Sequence, residues 1–252
     1  AVGSSANCAD PMTVLNTVVA EQLVDFKTKV DADIKKGEKR DSAILKALRQ
    51  CIKASRSILF EGDNYSDDWA NEAKKRGLSN IKSTPKALDA YVTKESKALF
   101  ERAGILNERE LEARHEIRLE NYTLKVQIES RLIEELALNQ IIPSAIRYQT
   151  EVLTNITQSK AAGMPAASHT TSLELAKSLS EHISAVKQGV LAMREARTKA
   201  ENQKTTRAEA IAFCDNVKPQ FETIRHHVDE LELLVDDGYW PLPKYREILF
   251  TR

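Results

Sequence analysis

The sequence predicts an all-α fold of long antiparallel helices, a bundle or coiled-coil-like domain, with several short helices in its N-terminal half. Three observations carry that expectation. Residues 107–156 contain no glycine and a single proline, Pro143. Helical throughout, that stretch would span roughly 75 Å, too long to bury in a small globule, so other helices must line up along it. Residues 172–198 and 207–237 each carry apolar side chains at alternating steps of three and four, the seam of packed helices. No alternating strand pattern of useful length accompanies them.

Asp10 is a good N-cap and Pro11 suits the first helical position, so a first helix is expected to about Ile34. Leu15, Val19, Leu23, Phe26, Val30 and Ile34 form one apolar stripe along it. A second helix is expected over about 41–58, with Ile44, Leu48, Cys51 and Ile52 facing inward. After a loop at 60–66, Ser66 caps a short helix whose first turn holds Asp67 and Asp68, where carboxylates suit the helix dipole. Arg76-Gly77 closes it, Thr84-Pro85 opens another, and Thr93 caps a third that ends near Gly104.

Asn107 caps the long helix, with Glu108 and Glu110 behind it, and Pro143 should kink or break it. Residues 161–168 form the clearest hinge and fold the path back. Thr171 or Ser172 caps the next helix, whose seam is Ala176, Leu179, Ile183, Val186, Val190 and Met193. Residues 199–206 are polar, either a turn or a continuous exposed helix. Cys214, Val217, Phe221, Ile224, Val228, Leu231 and Val235 then repeat the seam, with Pro219 off it and placed to bend the rod. Gly238 terminates the rod, and an aromatic-rich tail from Trp240 packs beyond it.

A chain of 252 residues, 42% of them hydrophobic, can bury a sizeable core as one domain or two. Thirty-seven basic residues balance thirty-seven acidic ones, and no basic block stands out, which argues against a nucleic-acid partner. With no run of eighteen apolar residues and no signal peptide, neither a membrane partner nor secretion is expected. Cys8, Cys51 and Cys214 are far apart and odd in number, as suits a reduced, cytoplasmic protein. The sequons at Asn64, Asn121 and Asn155 are then chance matches. The start at Ala1, without methionine and in a glycine-serine stretch, looks like a cut inside a longer protein.

Candidate chemistry is sparse. Glu112-x-x-His115 has the spacing that di-iron bundles use, with carboxylate and imidazole on one helix face. Those sites need a second such motif, which is missing, so a solvated face is the expected role. His226 and His227, with Asp229 and Glu230, also suggest a metal. The seam at Ile224, Val228 and Leu231 instead puts His226 on the outer face and His227 at a flank. In the adjacent pairs Asp67-Asp68, Glu134-Glu135 and Asp236-Asp237, helical neighbours point about 100° apart, so none forms a catalytic dyad unaided. Solvated faces and dipole partners account for them. Cys8 and Cys51 have no local base or CxxC partner. No phosphate loop, dinucleotide fingerprint or nucleophile elbow occurs, and Gly3-Ser4-Ser5 is too short to serve as one.

Particular strings say more than periodicity. Phe60-Glu-Gly-Asp-Asn-Tyr-Ser-Asp-Asp-Trp69, Arg76-Gly-Leu-Ser-Asn80 and Thr84-Pro-x-Ala-Leu88 resemble the C-terminal part of type III glutamine synthetases. So do Glu120-Asn-Tyr-x-Leu-Lys-x-Gln-Ile-Glu-x-Arg131, Pro143-x-Ala-Ile-Arg-Tyr-Gln149 and Trp240-Pro-Leu-Pro-Lys-Tyr-Arg-Glu-Ile-Leu-Phe250. Order and approximate spacing match across nearly the whole chain. Asp63-Asn64 stands where many relatives carry an Asn-Gly or Asp-Gly turn, which leaves that turn type open.

The resemblance implies a parent enzyme that joins ammonia to glutamate through a glutamyl phosphate, using ATP and magnesium or manganese. It implies large ring oligomers with active sites between neighbouring subunits. The family's metal-binding and phosphate-binding residues lie in motifs upstream of Ala1, so no catalytic residue and no metal ligand is carried over, and cofactor-binding residues stay unknown. Gly3, Ser4 and Ser5 would lie beside the site by chain proximity only. Residues 1–58 would close the catalytic domain, and 59–252 would form a type III-specific helical domain. The fragment is expected to be inactive alone and to support subunit contacts or access to the active site through exposed aromatics, Tyr65, Trp69, Trp240 and Tyr245. Its expected partners are the upstream catalytic domain and neighbouring subunits. A stand-alone helical interaction module is the alternative, since the two seams support it equally well.

Overall fold

The structure, a computed structural model, describes residues 7–63 and 65–249. Among these there are helices and turns and no strand. The chain divides into two compact units, and the division falls between His115 and Glu116.

The first unit opens with α1 (Ala9–Lys35) and α2 (Arg40–Ala54). Cys8, not Asp10, is the N-cap residue of α1, and Asp10 lies in its first turn. The Asn7 side chain accepts from the Ala9 N–H at 2.8 Å, which supplies an acceptor one step earlier than Asp10 would. α2 folds back on the C-terminal half of α1, where Val30 is buried with Ala43 and Ala47, and Phe26 and Ile44 pack at the edge. The two alanines let the helices approach closely, so the inner face of α2 is Ala43 and Ala47. Leu48 and Ile52, expected inside, are exposed. α2 also stops at Ala54, followed by a 3₁₀ turn, Arg56–Ile58. Having fifteen residues against the twenty-seven of α1, it covers only part of the apolar stripe. Leu15, Val19 and Leu23 stay exposed, Leu23 at 62%.

Three short helices follow: α3 (Asp67–Lys75), α4 (Thr84–Leu88) and α5 (Lys94–Arg102). Ser66 precedes α3, but its hydroxyl donates to the Asp63 carbonyl at 2.7 Å instead of capping the helix. Ser83 precedes α4 and its Pro85 is buried, while Thr93 caps α5 by accepting from the Ser96 N–H at 3.2 Å. Arg102 donates to Glu21 at 2.9 Å and so ties α5 to α1. Next comes α6 (Glu108–Leu136). Asn107 accepts from the Glu110 N–H at 2.9 Å, and Glu110 accepts from the Asn107 N–H at 2.8 Å, a reciprocal capping box.

In the second unit the helix does not break at Pro143. A π turn, Ala137–Ile141, leads into α7 (Ile142–Ala161), and the Ile142 N–H donates five residues back to the Ala137 carbonyl. A proline lacks the amide hydrogen, and its ring crowds the carbonyl four residues earlier; a wider turn just before it relieves both. The same device recurs downstream. α9 (Thr206–Ala212) runs into a π turn, Phe213–Val217, and then α10 (Lys218–Leu234), with Pro219 in its first turn. In both cases the π turn ends two residues before the proline.

Between these two rods lies α8 (Thr170–Glu201), which packs against both α7 and α10. The hinge before it uses Gly163 at φ 73°, a left-handed conformation that suits glycine, and a 3₁₀ turn, Ala166–His169. α8 starts at Thr170, directly after His169, slightly ahead of the expected Thr171 or Ser172 cap. Residues 202–205 are a turn, which resolves the polar stretch, and Thr205 caps α9 through the Ala208 N–H at 3.1 Å.

Leu179, Val186, Val190 and Met193 of α8 meet Ala137, Ile141 and Ala145 on one side and Val217, Ile224 and Leu231 on the other. The α8 seam is therefore as the periodicity predicts. The next seam differs at its start: Phe213 is fully buried, while Cys214, the expected seam residue, is only half-buried. The π turn holds one extra residue, so two steps of four replace the alternation.

The tail closes the unit. Trp240, expected on the surface, is 8% exposed and belongs to the core cluster. Ser144 donates to the Tyr239 carbonyl, and the Lys244 ammonium donates to the Glu232 carbonyl at 2.8 Å and pairs with Asp237 at 2.6 Å. A short α11 (Tyr245–Leu249) follows.

α8 and α10 approach closely at Gly189, where an added Cβ would lie 2.8 Å from Ile224 Cγ1. Alanine at an exposed helix position gains about 1 kcal/mol over glycine. Here crowding against the buried Ile224 side chain outweighs that gain, and Gly189→Ala should lose about 1–2 kcal/mol in chemical denaturation. In an Ile224→Ala background the same substitution should be neutral or stabilising. A stabilising effect in the native background would contradict the close approach.

Candidate functional site

The two residues with metal-ligand spacing are drawn to separate partners. Glu112 and Glu108 each accept from the Lys97 ammonium of α5 at 2.6 Å. These hydrogen bonds, first from Glu108 and then from Glu112, raise the Lys97 pKa above its ordinary value. His115 Nε2 faces Asp89 Oδ1 at 3.4 Å. Among the described residues, no three or more histidine, cysteine, aspartate or glutamate side chains converge as a metal site.

His226 is exposed and His227 half-buried. His227 Nδ1 lies 3.1 Å from His182 Nδ1 of α8, and the ring centroids are 5.3 Å apart. Such a pair holds together with one ring donating and the other accepting. Burial, and then the neighbouring His182 and His226, push the His227 pKa down. The partner His182 was not singled out in the sequence. Its signal is positional: His182 precedes the seam residue Ile183 and His227 precedes the seam residue Val228, flanks that face each other in antiparallel helices.

The carboxylate pairs also separate. Asp67 and Asp68 are exposed in the first turn of α3. Asp236 accepts from the Gly238 N–H at 2.8 Å, and Asp237 pairs with Lys244, so both brace the tail. Glu134 is no solvated surface group. It accepts from Arg194 Nε at 2.8 Å and Arg197 Nη2 at 2.7 Å, and Arg197 also reaches the Ser130 hydroxyl. Cys8, Cys51 and Cys214 are free thiols, and Gly3, Ser4 and Ser5 lie outside the described residues.

The string Phe60 to Trp69 is braced through its two ends. The Trp69 ring packs on Phe60 with centroids 4.6 Å apart, and the Arg76 guanidinium sits 5.7 Å over Trp69. Arg76 Nη1 donates to the carbonyls of Ser57 at 3.2 Å and Leu59 at 2.6 Å, and Nε donates to Glu72 at 2.8 Å. That last bond holds the Glu72 carboxyl below its ordinary pKa. Asp63 Oδ1 accepts from the Tyr65 N–H at 2.9 Å. Trp69 is therefore half-buried, not a surface aromatic, while Tyr65 projects at 97% exposure. Asn64, and with it the Asp63-Asn64 turn type, lies outside the described residues, as does the Tyr245 side chain.

No catalytic constellation emerges from these groups. The unmet demand is apolar: Met12, Leu15, Val19 and Leu23 share one exposed face of α1. A contiguous stripe of that kind marks a binding surface.

The glutamine synthetase C-terminal domain family matches residues 43–160. A glutamine synthetase of Bacteroides fragilis (strain YCH46) is 44% identical over all of this chain. A type-3 glutamine synthetase of Dictyostelium discoideum is 33% identical over all of it, and a glutamine synthetase of Butyrivibrio fibrisolvens is 29% identical over 85% of it. The chain spans about a third of the length of these curated relatives, 35% of the first two and 31% of the other.

Proposed function

Because the chain belongs to the glutamine synthetases, as the C-terminal part of the type III kind, we propose that it serves the joining of ammonia to glutamate without carrying the reacting groups itself. On this reading ATP and magnesium or manganese are held by the preceding catalytic part. Residues 1–58 close that catalytic domain, and 59–252 form an appended helical domain. The whole works as a cytoplasmic homo-oligomer, with the appended domain supporting subunit contacts or access to the active site. No helix among the described residues is long and apolar enough to cross a membrane, which agrees with such a setting.

The uncovered face of α1 carries this reading. Leu15, Val19 and Leu23 lie on the stripe that the periodicity marks for burial, Met12 is exposed one turn before them, and α2 is too short to reach them. Burial of apolar surface is worth about 25 cal/mol per Å², so a preceding domain that packs there gains substantially. The relatives have the additional length to supply one.

The chain by itself should form no glutamine from glutamate, ammonia and ATP, and measurable ATP-dependent turnover would overturn the proposal. The full-length protein carrying Val19→Asp and Leu23→Asp should melt earlier and lose most of its glutamine formation. Unchanged melting and turnover would show that this face is not a domain contact.

A further inference from the structure

We propose that His182 of α8 and His227 of α10 form a two-imidazole site for a late first-row divalent cation, zinc in the case argued, which clasps the two helices together. The site is separate from the magnesium or manganese of the reaction, and the proposal does not depend on the reading of function above.

The geometry carries it. The Nδ1 atoms of the two rings are 3.1 Å apart. Imidazole nitrogens bind zinc at about 2.0–2.1 Å, so two of them on one ion stand roughly 2.9 Å apart at a right angle and roughly 3.3 Å apart at the tetrahedral angle. The observed separation falls between these values. The ring planes are tilted by 51° with centroids 5.3 Å apart. A small rotation of each ring turns both lone pairs toward one point beside the present hydrogen bond. In that bond one ring donates its Nδ1 proton to the other. The donor frees its Nδ1 by carrying the proton on Nε2 instead, so the exchange of tautomer changes no charge.

The two positions are also held ready. Leu179 and Val186 lie three residues before and four after His182, and Ile224 and Leu231 stand in the same relation to His227. All four are buried. Packing on either side of each ring therefore fixes its backbone before an ion arrives, and both rings are half-buried, open on one side to solvent. Glu230, one helical turn along α10, supplies a negative charge that favours a cation beside His227. No cluster of three or more ligating side chains occurs among the described residues, so water fills the remaining positions. Imidazole suits zinc and nickel, whereas magnesium takes oxygen ligands, so the pair selects against magnesium.

Calorimetric titration of zinc into the untagged 252-residue chain tests this, with folding followed by circular dichroism. One equivalent should bind and should be weakened at least about tenfold in Kd by His182→Asn and by His227→Asn, while His226→Asn leaves it unchanged. At about a hundred times its Kd, zinc should raise the melting temperature by roughly 5–10 °C, and magnesium should not. A second measurement needs no substitution: zinc should shift the imidazole nitrogen resonances of His182 and His227 and leave those of His115 and His169 in place. Absence of zinc binding, binding that persists in the folded His182→Asn/His227→Asn variant, or unmoved His182 and His227 resonances would each show a hydrogen-bonded pair only and overturn the proposal.

Discussion

Phe213→Ala should cost about 3–5 kcal/mol of stability, the largest loss expected from a single truncation in this chain. Phe213 is fully buried and is the bulkiest of the fully buried side chains. It opens the π turn before Pro219 and packs in the core that α8 shares with both neighbouring rods. Removing the ring leaves a cavity lined from three directions, which limits how far the surroundings can collapse. Phe213→Leu keeps much of the volume and should cost less than half as much. Urea denaturation followed by circular dichroism measures both. A loss below about 1 kcal/mol for the alanine variant would mean that the site repacks freely.

Glu134→Ala ranks next, at about 2–4 kcal/mol, because it leaves two guanidinium groups without their shared carboxylate. Its side chain is 17% exposed and that of Arg197 is 12% exposed, so water offers Arg197 little substitute, whereas Arg194 is half-exposed. Burial by itself would raise the Glu134 pKa, yet the hydrogen bonds from Arg194 and Arg197 outweigh it and hold the carboxyl below its ordinary 4.5. A carboxyl depressed in the folded state stabilises above the unfolded value, and that contribution disappears as pH falls through the folded one. The gap in stability between the native protein and Glu134→Gln should therefore be full near neutrality and shrink below pH 4.5. A gap that stays constant on acidification would remove the ion pair as its cause.

Much of the helical plan was legible because it rests on local rules. The capping box at Asn107 and Glu110, the Thr93 cap and the α8 seam are all patterns of neighbours in sequence. What was not legible depends on partners of particular length or shape. Leu15, Val19 and Leu23 read as buried because a stripe shows which face is apolar, not how far a partner extends along it. Ala43 and Ala47 were overlooked because close approach favours small residues that carry little apolar weight. Phe213 was passed over for Cys214 because an alternating count assumes an unbroken α-helix. Glu134 looked solvated until Arg194 and Arg197, sixty or more residues away, were brought beside it. The His182–His227 contact needs two helices in register, and neither histidine signals it alone.

The π turns before Pro143 and Pro219 also bear on how the chain tolerates changes in length. A π turn places five residues on an arc where an α turn places four, so the surplus residue is absorbed locally. Every side chain downstream keeps its angular phase. A single-residue deletion inside either turn would restore an ordinary α turn and leave Ile224, Leu231 or Val152 facing as before. The same deletion one turn away would rotate all of them by about 100°. These two places are therefore where relatives could differ by one residue without scrambling the bundle.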